Sequence, residues 1–247
     1  MISVEELLRD QEDAARALDE LGFEYERLNR DEMDKFARSF ERQFVLQMKP
    51  REIVDMYMRH RVEILMGAMV ATAQFKKRFD GERPAAGKFG MVLPRAGYFG
   101  IGDDWDDVSA FTGGSPQNWI HSGTTLMGGT AGHAIKIGEN AVHVVFGVGS
   151  LHPAPKIESF QFTVDGKAKP IFITRWPLTL SDLAVKEFDT SFIFKKGTTL
   201  LVKVFQKQTG DDWPYLIGVS FVPENILREY HDVANLPGTV ANVVLTT

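Results

Sequence analysis

The chain has 247 residues, with 28 lysines and arginines against 33 aspartates and glutamates, a formal net charge of −5. Hydrophobic residues make up 44% and charged residues 25%, close to the globular average, which excludes wholesale disorder and collagen-like structure. There is no cysteine, so disulfides, thiolate metal sites, iron–sulfur clusters and thiol nucleophiles are excluded, and the mild acidity gives no general attraction to nucleic acid or anionic membrane.

The N-terminus, MISVEELLRDQEDAAR, is acidic and amphipathic and lacks the basic start and apolar stretch of a secretory signal. A first helix is predicted over Val4–Leu21, opened by the capping-box pair Ser3 and Glu6 and closed by Gly22. A second is predicted from about Arg30 to Met48, with Asn29 and Glu32 as its capping box and Met33, Phe36, Ala37, Phe40 and Phe44 as its apolar stripe. A third, long helix is predicted from Pro50 to about Phe79. Its run Ile64–Phe75 would extend only about 18 Å as a helix, short of the ~30 Å hydrocarbon core, so no membrane span is expected.

This third helix is apolar on every face between Ile64 and Ala71, which demands cover on several sides. That cover is either an ordinary bundle core or another subunit. On the second alternative, Met58, Leu65, Met66 and Met69 are candidate subunit contacts. Charge is also segregated: residues 1–34 carry a net −8 and residues 35–78 a net +6. Within one molecule these stretches could face each other; between molecules they favour head-to-tail association. The basic residues, Arg38, Arg42, Arg51, Arg59, Arg61, Lys76, Lys77 and Arg78 among them, would permit nucleic-acid contact electrostatically, but no motif indicates it.

Composition changes near Asp80–Ala86. Residues 1–83 hold three glycines and one proline, whereas residues 84–247 hold 19 glycines and ten prolines. The expected organisation is a helical region (1–83), a glycine-rich connecting segment (84–133) and a β-sandwich (134–247), with one further strand near Phe89–Leu93. The glycine-rich segment contains Trp105 and Trp119, two more candidate subunit contacts. Beyond it, Ala134–Ile137 and Ala141–Phe146 flank a Gly138-Glu139-Asn140 turn and suggest a hairpin. Ile157–Val164 runs into an Asp165-Gly166 turn, and Pro170–Trp176 is a further strand. Val185–Phe194, Thr198–Phe205 and Tyr215–Val222 follow, then a helical turn at Glu224–Tyr230 and a last strand at Thr239–Leu245. About nine short strands at ten-residue spacing point to an antiparallel sandwich.

Tests for chemistry give little. GERPAAGKF has the wrong glycine spacing for a phosphate-binding loop, and Phe89 stands where a Ser or Thr would hold magnesium. No G-x-S-x-G elbow occurs. His60, His121, His133, His143, His152 and His231 lack metal-ligand spacing, although His133 and His143 would approach across the first proposed hairpin. Asp103, Asp104, Asp106 and Asp107 form DDWDD, which could share a calcium ion but lacks EF-hand spacing; a solvated acidic loop with Trp105 tucked inward is the simpler reading. The four tryptophans, Trp105, Trp119, Trp176 and Trp213, would suit sugar stacking as well as core or interface anchoring. No metal site, cofactor or catalytic residue is assigned.

Over IESFQFTVDGKAKPIFITRWPLTLSDL, FDTSFIFKKGTTLLVKVFQ and YLIGVSFVPEN the chain resembles a jelly-roll sandwich of virion structural proteins, in strand rhythm and turn placement across about residues 134–246. The resemblance implies shell building or shell attachment, with the N-terminal helices reaching a neighbour; it differs from the commonest capsid arm, which is short, basic and disordered. The fold class expected is therefore α+β, an N-terminal helical region followed by an antiparallel β-sandwich of jelly-roll type. The function expected is a non-enzymatic, self-assembling capsid or other virion component, whose partners are copies of itself and other virion proteins. It would assemble in the host cytoplasm. The alternative is a sandwich binding module for glycan or protein with a helical oligomerisation domain, and a third reading is a hydrolase using acidic residues.

Overall fold

The computed structural model describes residues 3–42, 51–78, 89–99, 109–121, 133–152, 154–174 and 184–223. Four helices come first: α1 (Val4–Glu20), α2 (Arg30–Phe40), α3 (Arg51–Arg59) and α4 (Arg61–Arg78). Both predicted capping boxes form. The Ser3 and Asn29 side chains accept from the backbone N–H groups of Glu6 and Glu32, whose carboxylates accept in return from the cap N–H groups. The predicted long third helix is interrupted at His60. Helical hydrogen bonds reach the junction from both sides, His60 N to Met56 O at 3.2 Å and Ile64 N to His60 O at 2.9 Å.

Eleven strands follow among the described residues, and ten of them are Phe89–Val92 (β1), Ser109–Phe111 (β2), Gln117–Ile120 (β3), Ile135–Lys136 (β4), Val142–Ser150 (β5), Ile157–Val164 (β6), Lys167–Ile173 (β7), Ala184–Phe194 (β8), Thr199–Gln206 (β9) and Gly210–Asp212 (β10). The last is Pro214–Pro223 (β11). They form one antiparallel sheet of order β1-β11-β5-β8 (sheet I), a second of order β3-β9-β6-β7 with β4 also pairing β9 (sheet II), and a small β10-β2 ladder. Setting aside the short β2, β4 and β10, the pairing is nested: first strand with last (β1–β11), second with seventh (β3–β9), third with sixth (β5–β8), fourth with fifth (β6–β7). The helical turn and last strand expected at 224–245 lie outside the described residues.

Two cores divide the interior. Between the sheets lie Val145, Val148, Phe160, Phe162, Phe194 and Val202, with Trp119 among them. On the other face of sheet I, Val142, Val144, Phe146, Ile217, Val219 and Phe221 share a core with the helices. A bulge near Gly147 lets β5 keep both faces apolar, since Val145 and Val148 then point to the same side. Alternation is therefore lost to the eye: all nine residues of β5 are buried, as expected of a strand covered on both faces. The architecture is three layers, helices on sheet I on sheet II.

The turn expected at Asp165-Gly166 forms, with both residues at positive φ, 49° and 74°, and it closes a β6–β7 hairpin because β7 starts at Lys167, earlier than the strand expected from Pro170. The hairpin expected around Gly138-Glu139-Asn140 does not form. The chain turns there, but β4 pairs with β9 in sheet II while β5 runs in sheet I.

Candidate functional site

The residues proposed as subunit contacts on the third helix belong instead to this chain's own interior. Leu65, Met66 and Met69 are buried in the core shared by helices and sheet I, and Met58 is half-buried against it. The all-round apolarity of α4 is explained by its place in the molecule, with α1 on one side and β5 and β11 on another. At Gly67 the approach is so close that a Cβ would stand 2.2 Å from the Val144 Cγ2 and 2.8 Å from the Phe221 ring. Trp119 is enclosed between the sheets, edge-on to Phe160 at 5.6 Å. Trp105 and the Asp103–Asp107 cluster lie outside the described residues.

The densest polar constellation sits at the α3–α4 junction. The His60 ring stacks on Phe146 with centroids 4.4 Å apart. Its Nε2 lies 3.0 Å from Glu187 Oε1 and its Nδ1 3.1 Å from Ser191 Oγ, with Glu63 Oε1 also 3.5 Å from Nδ1. Arg59 donates to both oxygens of Glu187, from Nε at 3.0 Å and from its terminal nitrogen. Burial pushes the Glu187 carboxyl up, but the hydrogen bonds and charge of Arg59, with His60 beside them, outweigh it and hold the group below the usual carboxylate range. Glu63 behaves alike: burial raises it, and the His60 contact and its own backbone bring it down.

Ser191, His60 and Glu187 thus have the spacing of a serine–imidazole–carboxylate relay. The arrangement is poorly suited to that chemistry, because the carboxylate that should orient the imidazole is already clamped by a guanidinium in a bidentate pair. It ties the helix layer, at its interruption, to β8 at the edge of sheet I. Histidine spacing along the sequence could not reveal it, since Glu187 and Ser191 are contributed by a strand more than 120 residues away.

Two buried polar groups anchor the sandwich. His143 Nδ1 lies 2.8 Å from Ser220 Oγ on the neighbouring strand, and its ring stacks on Phe99 at 3.8 Å. Because β4 and β5 part company, His143 has no cross-strand relation to His133. The fully buried Asp212 carboxylate accepts from the Ser150 hydroxyl and from the backbone N–H groups of Lys156 (2.7 Å), Ile157 (3.0 Å) and Trp213 (2.9 Å), which fixes the ends of β5, β6 and β10 together. Among the described residues no group of three His, Asp or Glu side chains is placed to hold a metal ion.

Two clefts open beside the helices. One, of about 280 Å³, lies between α4 and the turns that follow β4 and β8. There Gln74 bridges the layers, donating to the carbonyls of Glu139 (3.0 Å) and Ala141 (3.1 Å) and accepting from Lys196 N (2.9 Å). The other, of about 50 Å³, lies between α2, α4 and sheet I, walled by Phe36, Ala68, Met91 and Phe221 with Lys35 among the residues lining it. Ser39 also lines it; this serine is 2% exposed and its Oγ has no hydrogen-bond partner.

The outer face of sheet II is left uncovered by the helices. There Ile171 and Ile173 of the edge strand β7 are 59% and 56% exposed. No helix among the described residues is long and apolar enough to cross a membrane. No family model matches the chain, and no curated protein or solved structure matches it.

Proposed function

We propose that the chain is a self-assembling structural protein built on a jelly roll, of the capsid or other virion-component type. The observation that carries this reading is the nested strand pairing. An antiparallel strip in which first pairs with last and so on inward, with β11 meeting β5 and β9 meeting β6, supports reading the sandwich as a jelly roll. Fold alone does not assign function, and one further feature favours assembly. Among the described residues sheet I is covered by the chain's own helices while Ile171 and Ile173 of sheet II stay exposed, apolar surface of the kind a partner covers. The opposite net charges of residues 1–34 and 35–78 meet within the chain, where Arg61 pairs with Asp10 at 2.7 Å and Lys76 with Glu26 at 3.2 Å, and so do not by themselves argue for assembly. The glycan-binding alternative gains nothing from Trp119, whose indole is enclosed.

Light scattering across a concentration and salt series tests the proposal. A discrete assembly much heavier than the 27.7 kDa chain is expected. A monomer at every condition would overturn it.

A further inference from the structure

We infer that Lys167, Lys169 and Pro170, at the start of β7, form a built-in block against strand addition between copies. Among the described residues β7 pairs only with β6 and ends sheet II, and the second row of backbone N–H and C=O groups on such an edge is a template for another chain. Its second half, Ile171-Phe172-Ile173, is β-branched and aromatic and carries no charge, and both isoleucines are exposed. That is the kind of edge that recruits a further strand. The first half has the opposite character. Lys167 and Lys169 would be brought against any added strand, and Pro170 has no N–H to offer it.

The register shows that the strand is also bent there. Ala168 stands opposite Thr163 and Ile171 opposite Gln161, so Lys169 and Pro170 together oppose Phe162 alone. This is a bulge, which twists an edge and breaks the even ladder that a straight partner needs. The three residues contribute little to the interior, since Lys167 and Pro170 are exposed and Lys169 is half-buried. The neighbouring edge is interrupted as well. Strand β8 ends sheet I, and its Phe188 ring stacks on Phe172 of β7 at 4.2 Å. With Glu187 opposite Gly147 and Phe192 opposite Val145, residues 188–191 stand against Phe146 alone. Both edges on this side of the sandwich are therefore poor templates. The inference does not depend on the assembly reading, because it concerns the association that the chain prevents.

The experiment compares the wild-type chain with Lys169→Val, Pro170→Thr, the two together, and Lys169→Glu, which keeps a charge at the edge. The readouts are sedimentation velocity, a dye that fluoresces on cross-β structure, and amide hydrogen exchange of β7. The double variant is expected to associate at a roughly tenfold lower concentration than the wild type, with dye binding and slowed exchange in β7. Each single change to Val or Thr moves part of the way, and Lys169→Glu behaves as the wild type. Far-UV circular dichroism at low concentration checks that the variants are folded; should the double variant not fold, the single changes decide. The inference is overturned if the folded variants associate no more readily than the wild type, or associate without protecting β7. It is equally overturned if Lys169→Glu associates as readily as Lys169→Val, or if the folded wild type itself binds the dye. A discrete wild-type assembly without dye binding supports both this inference and the assembly reading, whereas a wild-type monomer at every condition overturns that reading alone.

Discussion

His143 shows how one residue's environment becomes a property of the whole fold. Loss of water around its ring pushes the imidazole pKa down from 6.5 to about 3, against the opposing pull of the Tyr98 backbone. The folded chain therefore holds this ring neutral, while the unfolded chain takes up a proton below pH 6.5. Between those limits the unfolded state binds the extra proton, so folding stability falls as pH falls, by about 1.4 kcal/mol per pH unit. Urea unfolding of wild type and His143→Gln from pH 7 down to about pH 5 checks this. The wild-type slope should exceed the variant's by close to one proton, and equal slopes would mean that the ring is charged or hydrated in the fold. Sequence alone offered His143 only as half of a histidine pair. Its real neighbours, Ser220 and Phe99, come from a strand 77 residues away and from a segment that precedes the sandwich core, which no local spacing encodes.

At the scale of elements, what was legible is what local chemistry decides. The capping boxes at Ser3 and Asn29 and the Asp165-Gly166 turn depend on three or four adjacent residues, and each formed where the sequence placed it. The Gly138-Glu139-Asn140 turn also formed, yet its flanking strands went to different sheets, because a turn signal fixes a change of direction and not a partner. Strand β3 escaped notice because Gln117–Ile120 is buried throughout and shows no alternation. The interruption of the third helix was equally hidden, since it coincides with tertiary contacts that no local spacing encodes: His60 meets Phe146, Glu187 and Ser191 there. This tie is expected to contribute modestly, because Arg59 and Glu187 remain partly exposed to solvent. Glu187→Gln should lower stability by about 1 kcal/mol in urea unfolding at neutral pH. Adding Arg59→Gln to it should cost less than the two single effects summed, since the pair shares one interaction; full additivity would mean that the two side chains act apart.

For the whole molecule, the change of composition near Asp80–Ala86 marks a change of secondary structure but not a boundary between cores. Val142, Val144, Phe146, Ile217, Val219 and Phe221 turn away from the sandwich into the core shared with the helices, with α4 against β5 and β11 and Tyr57 of α3 edge-on to Phe146. A Tyr57 hydroxyl reaches across to the Gly218 carbonyl at 2.8 Å, and burial raises that phenol's pKa beyond its ordinary range. Removing residues 1–83 would leave sheet I with a two-sided apolar pattern and only one covered face, an exposed patch of the kind that drives aggregation. The fragment 84–247 is therefore expected to be insoluble or to bind hydrophobic dyes, whereas the intact chain should unfold in one step. Far-UV circular dichroism, dominated by the helices, and tryptophan fluorescence, which includes Trp119 inside the sandwich, should give coincident urea transitions. Were the helical signal lost first, the Gly67 approach and the Arg59–Glu187 tie would be contacts between separable units, and the helical layer would be free to leave sheet I for a neighbouring copy. Coincidence would confine contact between copies to exposed surface such as Ile171 and Ile173 of sheet II, where association needs no unfolding.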